Sequence, residues 1–528
     1  MSWLLLPVRW ALTQLSRPAW HRMQQQLQQP EQTQRQVLAR LLAAAGRSRH
    51  GQRLGLSGPG AMAAFEQLSP MAYEALRSTV DADMATGGNS FSAQAVRYYE
   101  RTSGSSGAAK AIPYNRALLG SFDRLFRIWA YDLLQAGLTL NSGKTFMSVS
   151  PPLLGQGATP HGVAVGSQDD TDYVSGAMAA LLRPFLVAPA AALRLTAAED
   201  FKDVLAVHLL AEDRLEVVSV WNPTFWLLLL EHMGQSLDRL APALLAGKLE
   251  RGGLVFRFAP LAPARLATIA QVHRYGWRTV WPQLQLISCW DEATATRPAG
   301  QLRDLFAGVM VQGKGLLATE GPMTVPLQGA PAPVPLLGEV YLELQMADGS
   351  LRPLWQWREG DEGELVVSQA GGLMRYCLRD RVAVAGLYGA TPCLRFLGRA
   401  GRGVDLVGEK LSEAFVQQLL AETGSRAGLL CLCPLERASP ACYALLSDVA
   451  EAGLAERLDA ALMAAPHYRL ARALGQLGPL RAICRPDMAA LLHGVQQARG
   501  MQAGNIKDVA LLCDLALAQQ VALALAQP

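Results

Sequence analysis

Between about residues 140 and 345, short apolar runs alternate with helical stretches, and this alternation constrains the fold more than any other feature of the chain. Thr145–Val149, Val217–Val220 and Leu284–Ser288 read as strands, while Pro223–Met233 and Ala299–Phe306 read as helices. Strands that are each followed by a helix bury both faces of a sheet, so the pattern predicts an α/β domain with mixed β-sheets and flanking helices. Further on, Leu327–Pro335 carries three prolines, each fixing φ and removing a donor, and is expected to be a stiff extended loop. Tyr341–Leu344 and Glu364–Val367 alternate as strands do, with a turn marked at Asp348-Gly349. At the N-terminal end, the glutamine-rich residues 24–36 lead into a helical pattern at Val37–Leu42, expected to pack on the main body. No internal repeat of about 20–50 residues is visible.

A chain of 528 residues exceeds one ordinary core, so at least two domains are expected. The second boundary signal is Gly398-Arg399-Ala400-Gly401-Arg402-Gly403, where glycine and arginine replace a strand pattern. This divides the chain into a large unit, 1–398, and a small α/β unit, 399–528, whose last part, Val509–Ala526, reads as a terminal helix. Half of the residues are apolar and 17% are charged, a globular composition. The formal net charge is only +4, and no basic run is interleaved with aromatics, which argues against nucleic-acid binding. The eight cysteines lack the paired spacing of a zinc site and are expected to be reduced and mostly buried, as in the cytoplasm. Pro7 and Arg9 interrupt the apolar start, unlike a secretory signal, although residues 3–20 could rest on a membrane surface. The dense run Phe225–Leu230 is far short of the roughly 20 residues that span a bilayer, and is read as a core helix.

The sharpest local signal is Tyr99-Glu-Arg-Thr-Ser-Gly-Ser-Ser-Gly-Ala-Ala-Lys110. Gly104 and Gly107 let the backbone approach a ligand, Thr102, Ser103, Ser105 and Ser106 supply hydroxyls, and Lys110 adds a mobile positive charge. A polyphosphate wants such a set of short donors. The competing reading is a flexible Gly/Ser linker, but a linker does not usually end in lysine followed by Ile112-Pro113. A Walker-like Gly143-Lys144-Thr145 also occurs, but Leu138 stands where the upstream glycine belongs. Only seven of the 48 basic residues are lysines, which marks each lysine as a candidate for a role that needs a compact ammonium.

Thr102–Lys110 resembles the phosphate-binding loop of the adenylate-forming acyl-activating superfamily, and further motifs follow in that superfamily's order. Leu317-Ala318-Thr319-Glu320-Gly321 resembles its Thr-Glu motif. Met374–Asp380 resembles the strand that ends in a ribose-binding aspartate. Phe396-Leu397-Gly398-Arg399 resembles the Gly-Arg hinge, and Gly408–Glu413 the start of the mobile C-terminal domain. Within the superfamily, Phe65–Tyr73, Tyr341–Leu344, Gly408–Glu413 and Pro466–Arg472 are most similar to the auxin-responsive acyl-acid amido synthetase family, over roughly residues 35–515. The chain departs from the pattern in three places. Leu316-Leu317 stand where an aromatic is common, Ala109 replaces a proline, and Asn505–Asp508 lacks a Lys-x-Pro-Arg ending.

The resemblance implies a ligase that activates a carboxylic acid as acyl-AMP with ATP and Mg2+, then passes the acyl group to an amine or amino acid. It implies that Ser103, Ser105, Ser106 and Lys110 hold the β and γ phosphates, with Thr102, Gly104 and Gly107 in the same loop. Thr319 would donate to the α-phosphate, Glu320 would hold the metal, and Asp380 would bind ribose. Arg399 belongs with the nucleotide set. Lys507 would bridge the reacting carboxylate and the α-phosphate, with Lys410 as its rival. His161 and Phe225 are candidates for contact with the acyl group, although a structural histidine and core packing explain them equally well. An acyl-CoA ligase uses the same first half-reaction and remains the alternative, followed by a non-catalytic adenylate-binding protein.

Overall fold

A computed structural model describes residues 5–101, 110–147, 157–166, 183–195, 197–399, 403–404, 406–407, 409, 411–473, 477–501 and 506–526. The expected alternation forms a four-stranded, all-parallel sheet. Its order is Met310–Gly313, Leu286–Cys289, Leu215–Ser219, Lys144–Met147. The helices Ala198–Ala211, Pro223–Gln235 and Thr296–Leu305 contribute to its cover, and Trp226 and Trp281 are fully buried in the core this creates. Asn222 caps the second of these helices by accepting from the Thr224 amide, and Pro223 occupies its first turn, where a missing donor costs nothing.

A five-stranded antiparallel sheet follows, in the order Leu351–Pro353, Tyr341–Gln345, Glu362–Ser368, Tyr376–Tyr388, Thr391–Arg399. The Asp348-Gly349 turn joins Tyr341–Gln345 to the short strand Leu351–Pro353; Glu362–Ser368 then pairs along the other edge of Tyr341–Gln345. The strand expected to end at Asp380 continues to Tyr388, because its hairpin partner Thr391–Arg399 pairs along that length. Pro335, in the expected stiff loop, pairs with Thr324. A third, mixed sheet contains the hairpin Val96–Arg101 and Ala111–Asn115. The helix Arg116–Gln135 links this sheet's core to the antiparallel sheet, and Leu5–Leu27 packs against that helix.

The N-terminal segment forms two helices, Leu5–Leu27 and Pro30–Ala45, rather than one. Pro30 starts the second, since it cannot donate from inside a helix. Gln34 is completely buried; its amide donates to the Leu337 and Val340 carbonyls and accepts from the Leu342 N–H. The polar composition of this stretch thus serves long-range pairing as well as solvent.

From Val404 onward the chain buries its side chains in hydrophobic clusters of its own, around the three-stranded sheet Leu430–Leu435, Cys442–Ser447, Arg481–Cys484. The terminal helix is Leu515–Leu525, shorter than the pattern suggests. Leu432 bonds to Ala510 and Leu512 through the backbone, which holds that stretch extended, and Asp514 then caps the helix by accepting from the Leu517 amide. All eight cysteines are free thiols and six are buried. Among the described residues, no helix is long and apolar enough to cross a membrane.

Candidate active site

Lys110 immediately precedes the strand Ala111–Asn115, whose hairpin partner ends at Arg101. The Gly/Ser loop therefore joins two paired strand ends. Its residues Thr102, Ser103, Gly104, Ser105, Ser106 and Gly107 lie outside the described residues, as does Lys410. The Lys110 ammonium donates to the Tyr376 hydroxyl at 3.2 Å, and that hydroxyl donates to Glu320 Oε1 at 2.9 Å. Lys110 and Glu320 themselves stand 3.8 Å apart. The ammonium also sits 5.7 and 5.8 Å from the ring centroids of Tyr73 and Tyr376, a distance at which aromatic faces attract a cation.

Three further contacts fix this group. Thr319 and Glu320 form the two-residue turn of a small hairpin in which Ala318 pairs with Gly321. The Tyr114 hydroxyl donates to the Thr319 carbonyl at 2.6 Å, and the buried Gln369 amide donates to the Glu320 carbonyl at 2.9 Å. Tyr73 is held in turn by the Ala111 amide, which donates to its hydroxyl at 2.8 Å, and burial raises the pKa of that phenol.

The stretches Phe65–Tyr73 and Tyr341–Leu344, far apart in sequence, meet behind Tyr376. Phe65 and Tyr341 pack edge to face with centroids 5.7 Å apart. Arg375 forms a two-pronged ion pair with Glu343, at 3.0 and 2.8 Å, donates to the Glu66 and Leu68 carbonyls, and lies over the Phe65 ring. Met71 and Cys377 complete the seam through backbone bonds to Arg375 and Met71 respectively. Arg375 adopts a left-handed φ of 41°, a conformation that this set of contacts maintains.

Asp380 lies four residues beyond Tyr376 on the same strand, opposite Arg399, and is 6% exposed. It lines a cleft together with Trp290, Glu292, Lys314, Leu317 and Lys507. The Lys507 ammonium stands 4.9 Å from the Trp290 ring centroid. Lys110, Thr319 and Glu320 thus form one group, and Asp380 and Lys507 a second, connected by the strand Tyr376–Tyr388. The other two candidates sit elsewhere. His161 is exposed and bonds through Nε2 to the Ala85 carbonyl at 3.1 Å, while Phe225 is buried in the core of the parallel sheet. The Walker-like segment is occupied from within. The amides of Asn141, Ser142 and Gly143 all donate to the buried Glu216 carboxylate.

Burial raises the pKa of Glu292 on the cleft wall to about 7, above its ordinary 4.5, although it accepts the Phe396 amide at 2.9 Å. In the unfolded chain this carboxyl loses its proton near 4.5, whereas the folded chain keeps it until about 7. The folded state therefore loses stability, relative to the unfolded one, as pH rises through that window. Glu292→Gln should melt with the wild type near pH 4.5 and progressively above it up to pH 8, by a few kcal/mol at most at ~1.4 kcal/mol per pKa unit. A constant offset across the range, followed by thermal or urea melts, would contradict the burial argument.

The family model for the GH3 family N-terminal domain matches residues 19–311, and that for the GH3 family central domain matches residues 341–399. This chain belongs to the GH3 family. Membership bears out the resemblance read from the motifs and supports the enzyme class it implied, an acid-activating ligase of the adenylate-forming kind. Two solved structures share the fold. One is described as GH3.15 acyl acid amido synthetase, with 16% identity over 95% of this chain and 94% of that one, at a TM-score of 0.79. The other is described as AtGH3.15 acyl acid amido synthetase in complex with 2,4-DB, with 16% identity over 96% of each chain and a TM-score of 0.81. No curated protein matches the sequence.

Tyr73 and Tyr376 lie within motif stretches that do not mark them as site residues, and Tyr114 and Gln369 lie outside the motifs altogether. Leu316 and Leu317 stand where relatives of the superfamily commonly have an aromatic, and both border the cleft. The cleft's aromatic surface comes instead from Trp290, just past the strand Leu286–Cys289, and Phe396, on the strand Thr391–Arg399.

Proposed function

We propose that this GH3 protein activates a carboxylic acid with ATP as an acyl-adenylate and transfers the acyl group to an amine or amino acid. The observation that carries the reading is the Lys110–Tyr376–Glu320 group, whose tyrosine stands on the same strand as Asp380. A cation and a carboxylate at one end suit a metal-bound polyphosphate; an acceptor-only carboxylate at the other suits the hydroxyls of ribose.

Magnesium fits the residues present if it arrives with the nucleotide. Among the described residues, no group of three or more metal-ligating side chains exists, and Glu320 offers one buried carboxylate. Magnesium is commonly held in this way, by one or two carboxylates with substrate phosphates and water as its other ligands. Bound there, it would neutralise charge on the phosphate oxygens. Lys110 places its ammonium where charge grows as pyrophosphate leaves, an electrostatic contribution to the barrier. Thr319 lies in the turn beside Glu320, within a backbone braced by Tyr114 and Gln369. Lys507 brings an ammonium to the Asp380 cleft, which Lys314 also lines, and is taken as the lysine that bridges the acid and the α-phosphate, with Lys410 as its rival. The same reading includes the phosphate loop 102–107 and a place for Arg399 in the nucleotide set; His161 and Phe225, which lie apart from the cleft, are not carried into it. It also includes a domain boundary at 398/399 with a mobile smaller unit, and a cytoplasmic location.

The test is a panel of carboxylic acids offered with ATP and magnesium, scored by exchange of labelled pyrophosphate into ATP, then by mass detection of products with amines or coenzyme A. Acid-dependent exchange with amide products is the expected result. A stable coenzyme A thioester formed as fast as the best amide would replace the amide reading with thioester ligation. An absence of exchange with every acid would overturn both.

A further inference from the structure

Lys507 is held from both sides by the N-terminus of the helix Pro223–Gln235. The Asn222 side-chain amide donates to the Ile506 carbonyl, one residue before Lys507. The Thr224 hydroxyl donates to the Asp508 carboxylate at 2.5 Å, one residue after it. His493, from the helix Met488–Ala498, reaches the other Asp508 oxygen at 3.4 Å, so that carboxylate ties the two parts of the chain together. Asn222 serves two purposes at once, since its oxygen accepts the Thr224 amide while its nitrogen donates to Ile506. Both of its polar atoms are used, and the residue is 1% exposed.

We propose that Asn222 and Thr224 are positioning residues that clamp the backbone on either side of Lys507, and so store the arrangement in which acyl-adenylate forms. The proposal rests on the function given above and adds where its conformational control lies. A lysine on a flexible loop spends most of its time elsewhere, whereas one gripped at both neighbours loses that freedom before substrate arrives. Each grip is a hydrogen bond, one of them to an ionised group, and together they hold a short segment. The clamp can open without unfolding either part, because each unit has its own core. Its state therefore affects the two half-reactions differently: formation of the adenylate needs Lys507 in the cleft, and transfer to the acceptor needs the cleft uncovered.

Two substitutions isolate the clamp. Asn222→Asp keeps the oxygen that caps the helix and turns the donor to Ile506 into an acceptor. Thr224→Val keeps shape and removes the hydroxyl. In the full-length protein, each is expected to slow formation of acyl-adenylate from ATP and acid at least 10-fold. Amide formation from acyl-adenylate supplied ready-made should stay within about twofold of the wild type. A second measurement is independent of turnover. Hydrogen exchange of the peptide spanning residues 506–509 should quicken at least 10-fold in both variants, with the peptides of the strand Cys442–Ser447 unchanged. Equal loss in both half-reactions, or unchanged exchange at 506–509, would overturn the clamp. Should the wild type activate no acid at all, the function fails and the hydrogen-exchange measurement alone decides whether the clamp holds the segment.

Discussion

Lys110→Ala is expected to slow acid-dependent pyrophosphate exchange about 100-fold, the scale lost with one group aimed at developing charge. The geometry makes the loss specific. The Tyr376 hydroxyl accepts from Lys110 and donates to Glu320, which stand 3.8 Å apart. Tyr376→Phe should therefore cost less than Lys110→Ala, and should raise the magnesium concentration needed for half-maximal exchange. Exchange by a folded Lys110→Ala protein at the wild-type rate would remove this lysine from the chemistry.

The largest expected effect on stability belongs to Glu343→Ala. The Arg375–Glu343 pair is almost completely buried, with side chains 9% and 3% exposed. Removing the carboxylate leaves a guanidinium in the protein interior with only carbonyl partners, and breaking such a pair costs ~3–5 kcal/mol. Urea unfolding followed by fluorescence should show the loss. Because Arg375 adjoins Tyr376, the variant should also weaken exchange, through a misplaced hydroxyl. A loss below ~1 kcal/mol would mean that the pair adds little beyond a solvated contact. Replacing both partners with apolar residues of similar volume should recover much of the stability, since neither charge is then stranded.

What the sequence revealed and what it concealed differ in range. Periodicity reported strands alternating with helices because those signals are local: Val217–Val220 is apolar but for Ser219, and Asn222-Pro223 announces a helix start. That the four strands run all parallel was not part of that signal, which predicted mixed sheets. The composition of the Gly/Ser loop pointed to Lys110 for the same reason. Tyr114 and Tyr376 gave no such signal, since an aromatic within a strand pattern is most simply read as core. Their function comes from contacts such as Tyr376 with Lys110, 266 residues apart. The clamp on Lys507 is more remote still, joining residues 284 positions apart. Errors at the ends of elements had local causes. The pattern runs Val509–Ala526 as one helix, but Asp514 is the cap that starts a shorter one. The Walker-like Gly143-Lys144 segment was set aside on spacing alone; the fold adds the physical reason, a carboxylate already seated among its amides.

The turn that carries Thr319 and Glu320 has consequences for redesign. Two residues between paired strands leave no slack, because Ala318 and Gly321 are already partners. One added residue would turn the carboxylate away from Tyr376, and one removed would leave the strands unable to pair as they do. Substitutions here change chemistry, but insertions erase it. A library aimed at this site should keep residues 317–322 at their present length and vary only their identity.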